Sequence, residues 1–526
     1  MICRRTFLKN IGLGLGSVGL VSRVPFSLAG NIGSAGLPRS TPEAQGVRSE
    51  AIAQFLDAIA GSKHEFHSFM FVRHGHVIAE GWWAPYGPDL KHMLYSLSKS
   101  FTSTAVGLAK TEGKLNVDDK VISFFPDKLP GEVSENLRAL RIKDLLTMSV
   151  GHAQDSTPLI TKEEDWARAF LALPIAHQPG TEFLYNSGAT YMLSAIVQKV
   201  TGRKVIDYLT PRLFEPLGIE EMTWETCPMG INTGGWGLNL RTESLAKFAQ
   251  LYLQKGSWAD KTLIPAEWVQ EATSFKIQQP GTDLDKLKHE SDWHQGYCYQ
   301  FWRCRHNAFR GDGAFGQYAI VLPEQDAVIA ITSESPSMQG QLNLVWEHLL
   351  PGIEQSALTD GASARELEGK LRGLRLPPPK AQPSSPLAVK VSGKTFTISA
   401  NETNFKAARF DFTERECLFT LNHEQGDYPI RCGVEKWVEG ETAMPGTPPK
   451  LTRSRGTMKS KVAASGTWKD PQTFEMTWRF IETPHHDIVT CRFEDSDLKI
   501  QFMNSVTQLS PSRKETREPL TGKMAA

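Results

Sequence analysis

Along this 526-residue chain the spacing of apolar residues changes character at a proline-rich stretch. Up to about Leu350 helix-like and strand-like spacings alternate. After Leu387 apolar residues recur at every second position. Phe474, Met476, Trp478 and Phe480 alternate with Glu475, Thr477 and Arg479, and Leu498, Ile500 and Phe502 alternate with Lys499 and Gln501. A period of two puts one face in a core and the other in water, so residues 387–510 are expected to form an all-β barrel or sandwich. Residues 351–386 hold Pro377-Pro378-Pro379 and Pro383-Ser384-Ser385-Pro386, an extended, semi-rigid composition that reads as a linker. Residues 511–526 are expected to be a disordered tail.

The region 42–350 reads as α+β. Phe69–Val72 and Val77–Glu80 flank Arg73-His74-Gly75-His76, a hairpin signal, and Ala319–Leu322 and Val328–Thr332 flank Pro323-Glu324-Gln325-Asp326, another. Helical spacing fills the middle: Ser98–Glu112, Ile142–Met148, Ala189–Val200 and Glu243–Gln254, with a last stretch at Leu342–Leu350. Strands at both ends with helices between predict one antiparallel sheet drawn from the two ends of the region, flanked by helices and carrying an inserted helical lobe.

Composition bounds the function. There are 58 Lys+Arg and 58 Asp+Glu, and this zero net charge argues against nucleic acid or an anionic membrane as the main partner. Residues 1–29 run from Cys3-Arg4-Arg5-Thr6-Phe7-Leu8-Lys9 through a short apolar stretch to Ser27-Leu28-Ala29. This resembles a twin-arginine export signal and predicts a periplasmic or secreted protein with no stable membrane insertion. Twin-arginine export moves folded chains, so the fold cannot depend on disulfides made after export. The cysteines are expected to be small buried residues, with Cys298 and Cys304 the one pair close enough to check.

Three segments carry chemistry. In Tyr95-Ser96-Leu97-Ser98-Lys99 a helix begins near Ser96, and a spacing of three places the Ser96 hydroxyl and the Lys99 amine on one face of its first turn. A serine hydroxyl needs a neighbour to remove its proton. Lys99 can take it as a neutral amine, if burial lowers its pKa, or stabilise a neighbouring anionic base as a cation. In Phe183-Leu184-Tyr185-Asn186-Ser187-Gly188 the tyrosine sits in a polar loop at a helix entrance, where a nearby ammonium would depress its pKa and let it share proton transfer. In Arg310-Gly311-Asp312-Gly313-Ala314-Phe315-Gly316 small residues let a substrate lie close to the backbone of an edge strand.

In this order the three segments resemble those of the serine β-lactamase and penicillin-binding-protein superfamily, in its class C β-lactamase-related branch. That branch includes esterases, D-aminopeptidases, D,D-carboxypeptidases and 6-aminohexanoate-dimer hydrolase. Lys114-Leu115-Asn116-Val117-Asp118-Asp119, Ile142-Lys143-Asp144-Leu145-Leu146-Thr147 and Gly234-Gly235-Trp236-Gly237-Leu238 also look like family segments. The resemblance implies a β-lactamase/transpeptidase-like fold over 42–350 with an appended C-terminal β-domain. It implies an acylated nucleophile at Ser96, Lys99 as its partner, and Tyr185 as general base and then acid. It implies an oxyanion hole of the Ser96 and Ala314 backbone N–H groups, and no cofactor. Asn186, Ser187, Asp312, Gly313, Trp236 and His152 are the candidate substrate-binding residues. The chain departs from the pattern in two places. Ser187 stands where the tyrosine segment often has Asn. Gly311-Asp312 stands where Lys or His followed by Thr or Ser is usual, which removes the cation that would bind a substrate carboxylate, with Arg310 or Arg303 as possible replacements. A small ester or amide lacking that carboxylate is therefore the expected substrate, with a D-residue peptidase or β-lactamase-type amidase, a penicillin sensor that acylates without turnover, or a non-catalytic binding protein as the rivals.

Other residues invite smaller claims. His485-His486-Asp487 looks like a ligand cluster, but neighbours in a strand point to opposite faces, so no metal is expected there. His64, His67, His74, His76 and His92 read as surface or turn histidines. Among Trp82, Trp83 and Trp236, core packing is expected of at least two.

Overall fold

In the computed structural model, which describes residues 36–359, 361–451, 459–509 and 513–525, the first hairpin turns where the sequence asks it to. Strands β1 (Glu65–Arg73) and β2 (His76–Trp82) are joined by His74 and Gly75, at φ +49° and +75°. Left-handed geometry at both central residues is what a two-residue hairpin loop requires. The late strands are β3 (Trp302–Arg303), β4 (Phe309–Gly313), β5 (Gln317–Leu322) and β6 (Ala327–Glu334). β6 pairs antiparallel with β1, from Glu65 opposite Glu334 to Arg73 opposite Ala327, and the six strands run in the order β2-β1-β6-β5-β4-β3. The sheet is thus built from the two ends of the region, as expected. β5 and β6 are buried along their whole length, because helices cover both faces.

Helix α1 (Ser49–Ala60) lies on one face, packing Ile52, Phe55, Leu56 and Ile59 against Phe66, Phe69 and Phe71. The other face carries α2 (Ser98–Thr111), α3 (Ser187–Thr201) and α4 (Thr242–Leu253). α2 is the centre of this layer and is buried from Ser98 to Ala109. Gly107 lets it come so close to Trp268 that a Cβ there would sit 2.3 Å from the indole.

Two expectations need correction. The segment 351–386 is no plain linker. Its residues Ala362–Arg372 form α5, which packs Leu367 and Leu371 into the α1 layer, because the segment has apolar residues at helical spacing before its prolines begin. The tail 511–526 contains strand Leu520–Met524, paired on both sides. Leu520 is buried in the barrel core and Met524 packs against it, two apolar residues in a mostly polar stretch.

The C-terminal strands are β7 (Thr395–Ile398), β8 (Phe405–Phe412), β9 (Glu416–His423), β10 (Gly426–Val434), β11 (Val438–Thr442), β12 (Ser460–Asp470), β13 (Thr473–Arg479), β14 (His486–Glu494), β15 (Asp497–Asn504) and β16 (Leu520–Met524). They run β10-β9-β8-β7-β16-β15-β14-β13-β12-β11, and a parallel pairing of Gly433 and Val434 with Ser465 and Gly466 closes the sheet into a barrel. Closure removes the exposed edges that an open sheet would leave. Phe396, Phe410, Phe419, Trp468, Phe474, Trp478 and Phe493 fill the interior. All described residues belong to one compact unit. Residues 1–29, expected above to be an export signal, lie outside them.

Candidate active site

The turn before α2 is held from several sides. Tyr95–Leu97 form one 3₁₀ turn, and Ser98 Oγ donates to the Tyr95 carbonyl at 2.7 Å while accepting from Leu238 N at 3.1 Å. Ser96 is half-buried at the mouth of the turn. Lys99, one turn on, is 2% exposed, and its amine reaches Ser96 Oγ at 3.0 Å, Ser187 Oγ at 2.9 Å and the Gly235 carbonyl at 2.7 Å. Burial lowers its pKa to about 7, with Asp155 and Asp312 pulling the other way. A neutral amine is therefore available near physiological pH.

Tyr185 ends the loop before α3. Its ring stacks on Trp302 at 5.8 Å and lies 4.8 Å from the Lys99 amine. The sequence predicts a depressed phenol, and the structure reverses this: burial, with the negative charge of Asp312, pushes the phenol up, and a hydrogen bond with Ser96 only partly offsets it. Burial thus favours the protonated phenol at Tyr185 and the neutral amine at Lys99. The phenol, distant in the chain, meets the serine and the amine that share one helical turn.

The third segment is the end of β4. Gly313 lies against the nucleophile turn so closely that a Cβ would meet the Leu94 carbonyl at 2.0 Å and Ser96 N at 3.2 Å. That approach sets the end of β4, after which Ala314 follows, against the turn that holds Ser96. Asp312 is 7% exposed and its carboxylate takes Arg310 Nε at 2.9 Å. Burial raises its pKa, against the pull of Arg310. Arg310 has no exposed surface and binds Asp312, the Asp292 carbonyl, Cys304 Sγ and the face of Trp293, with only a buried Nη2 left without a hydrogen bond. It cannot replace the missing carboxylate-binding cation, and Arg303 is turned to Asn307.

Among the other candidates, Ser187 faces Lys99 directly. Asn186 does not face the cleft. It is 1% exposed and its amide oxygen caps α3 through Gly188 N at 3.0 Å while accepting from Ser156 Oγ at 2.7 Å. His152 stands behind it, 3.1 Å from Asn186 Nδ2, with burial lowering its pKa to about 4. Trp236 is stacked on Trp166 in the core. Trp83 is likewise buried.

The histidines diverge from expectation. His67 and His92 are buried and 3.0 Å apart, because β1 is covered on both faces. His485 and His486 do not point apart. Both reach one carboxylate, Glu334, at 2.6 and 3.1 Å, since His485 precedes β14 and escapes its alternation. Glu65, Glu334 and His486 are the one group with metal-ligand spacing among the described residues. Arg479 already holds Glu65 at 2.5 and 2.9 Å, and two imidazoles hold Glu334, so these carboxylates are already partnered by side chains. The six described cysteines are free and buried, Cys298 and Cys304 included. The Gly235 carbonyl and Asp155 are site groups that the sequence reading passed over. The first lay inside a noted segment whose backbone role no side chain announces.

A serine hydroxyl at the mouth of a turn, a buried amine with lowered pKa beside it and a phenol next to both are the groups a serine hydrolase uses. The chain belongs to the β-lactamase family, whose model matches residues 53–347. It is 25% identical over 336 residues to 6-aminohexanoate-dimer hydrolase of Paenarthrobacter ureafaciens, covering 60% of this chain and 84% of that one. It is 26% identical over 383 residues to penicillin-binding protein 4 of Amycolatopsis lactamdurans, covering 66% and 91%. Among solved structures, the octameric penicillin-binding protein homologue from Pyrococcus abyssi aligns at 16% identity with a TM-score of 0.47, over 90% of this chain and 99% of that chain. No helix among the described residues is long and apolar enough to cross a membrane.

Proposed function

We propose that the protein hydrolyses small esters or amides through an acyl-enzyme on Ser96. The observation that carries this reading is the amine of Lys99, buried, with its pKa lowered to about 7, 3.0 Å from Ser96 Oγ. Neutral Lys99 takes the hydroxyl proton as Oγ bonds to the carbonyl carbon, and the oxyanion forms against the N–H groups of Ser96 and Ala314. Collapse expels the alcohol or amine, which takes a proton from the Tyr185 phenol. Tyr185 is then reprotonated from Lys99. Water repeats the sequence on the acyl-enzyme and releases the acid.

The buried Arg310–Asp312 pair supports substrates without a carboxylate beside the scissile bond, because it offers the cleft no free cation. An ammonium near that bond would suit Asp312, which favours D-aminoacyl amides as a second substrate class. Residues 1–29 are read as a twin-arginine leader ending at Ala29, which places the mature protein in the periplasm or outside the cell.

A panel of p-nitrophenyl esters, D-aminoacyl anilides and a chromogenic cephalosporin tests the reading. Turnover of an ester or anilide is expected, slow or no cephalosporin turnover, and a loss of at least about a hundredfold in Ser96→Ala. One stoichiometric acylation with no steady state would instead mark a sensor. Rapid cephalosporin hydrolysis would defeat the substrate assignment.

A further inference from the structure

Ser96 and Ala314 each stand next to an aromatic residue with unusual backbone geometry. Tyr95 precedes Ser96 at φ +47°, and Phe315 follows Ala314 at φ +66°. A bulky L-residue enters this left-handed region only where its surroundings hold it there. Both rings rest on one side chain, and it comes from the C-terminal barrel. The His485 ring lies 4.8 Å from Phe315, edge to face, and 5.7 Å from Tyr95. Its Nε2 is 2.5 Å from the Tyr95 hydroxyl, and its Nδ1 is 2.6 Å from Glu334 at the end of β6.

The proton positions follow from the partners. Burial works against the Glu334 charge, but the two imidazoles outweigh it and hold the pKa at about 2. An ionised carboxylate only accepts, so His485 Nδ1 donates to Glu334 while Nε2 meets the Tyr95 hydroxyl. Ser505 Oγ donates to the same Glu334 oxygen at 2.5 Å, which fixes the carboxylate. The backbone of Leu451, also in the C-terminal domain, hydrogen-bonds Tyr95. His485 has no exposed surface and cannot touch substrate.

We propose that His485 is a positioning residue of the active site. Through a carboxylate–imidazole–phenol chain and the Phe315 ring it braces both walls of the oxyanion hole, so that the C-terminal domain completes the site. The inference rests on the proposed function, in which the Ser96 and Ala314 backbones are the oxyanion donors. A brace of this kind acts on the transition state, where the oxyanion exists, more than on substrate binding.

The test uses the full-length protein and a p-nitrophenyl ester turned over by the wild type. In His485→Ala, kcat is expected to fall about tenfold to a hundredfold with KM within about threefold. The inhibition constant of an arylboronic acid, whose adduct on Ser96 mimics the oxyanion, should rise in parallel. His485→Gln places an amide acceptor near the Nε2 position and should restore most of kcat. A folded His485→Ala with kcat within about threefold of wild type, or a Gln variant no better than Ala, overturns the brace. If His485→Ala fails to fold, Tyr95→Phe decides, since it removes only the hydroxyl: lowered kcat at constant KM supports the brace, and unchanged kcat overturns it. A fluorophosphonate that leaves wild-type Ser96 unlabelled would overturn the proposed function itself. Labelling of Ser96 together with an unmoved His485→Ala overturns this inference alone.

Discussion

Lys99 sits at the crossing of activity and stability. In the mechanism proposed above, its pKa of about 7 makes activity require loss of a proton in that range. The acid limb of kcat/KM is expected to rise with pH and level off above about 7, because kcat/KM reports the free enzyme. A limb below pH 5 would point to a carboxylate base instead. The same shift acts on folding. Between about 7 and the unfolded pKa of about 10.4 the unfolded chain binds the extra proton, so this group's contribution to stability improves as pH rises. Lys99→Met is therefore expected to be inactive and more stable than wild type, with a larger gain in Tm at pH 7 than at pH 10. Equal gains would mean that the charge is not buried. Sequence spacing was enough to pair Ser96 with Lys99, which lie on one helical turn. It could not give the sense of the Tyr185 shift, which depends on burial against Trp302 and on Asp312, residues brought in from β3 and β4.

At the scale of elements, β4 and the nucleophile turn touch through Gly313. Gly313→Ala would set a Cβ 2.0 Å from the Leu94 carbonyl, a backbone atom that cannot step aside alone. We expect at least about a hundredfold loss of kcat with a cost of roughly 1–3 kcal/mol in stability. Wild-type kcat in this variant would show that the two backbones need not be so close. The elements that read well from sequence are local. The β1–β2 turn has His74-Gly75 at left-handed φ, and α2 and α4 carry their apolar stripe in plain view. Those that read poorly depend on distant partners. His485 escapes strand alternation because it falls in the turn before β14, and His67 looks exposed until Tyr86 stacks on it at 3.8 Å. Asn186 reads as a ligand-facing amide, and only the fold shows it serving as a helix cap.

At the scale of the molecule, buried charge ties the barrel to the hydrolase region. Burial pushes the Glu65 carboxyl up, and Arg479 and His67 together outweigh it and hold it well below the usual range. Removing one partner of a buried ion pair leaves the other uncompensated. Arg479→Ala is expected to cost about 3–5 kcal/mol and lower Tm by at least about 5 °C, with the β1 end of the sheet disturbed as well as the barrel. A Tm within 1 °C of wild type would make the interface dispensable. A second tie, Lys450 to Glu225 at 2.7 Å, joins the loop after β11 to the segment ahead of α4. The change of hydrophobic period divided the chain correctly into its α+β and all-β parts. It carried no sign of how the parts meet, because Glu65, Glu334, Arg479 and His485 look in sequence like ordinary polar residues of strands and turns.

The barrel is stitched shut by its own last strand. β16 lies between β7 and β15, so the ring has a gap until Leu520–Met524 leave the ribosome. The wall that presses on Tyr95 and Phe315 belongs to that ring. A chain cut before Leu520 would carry Ser96, Lys99 and Tyr185 and still lack a finished scaffold behind them.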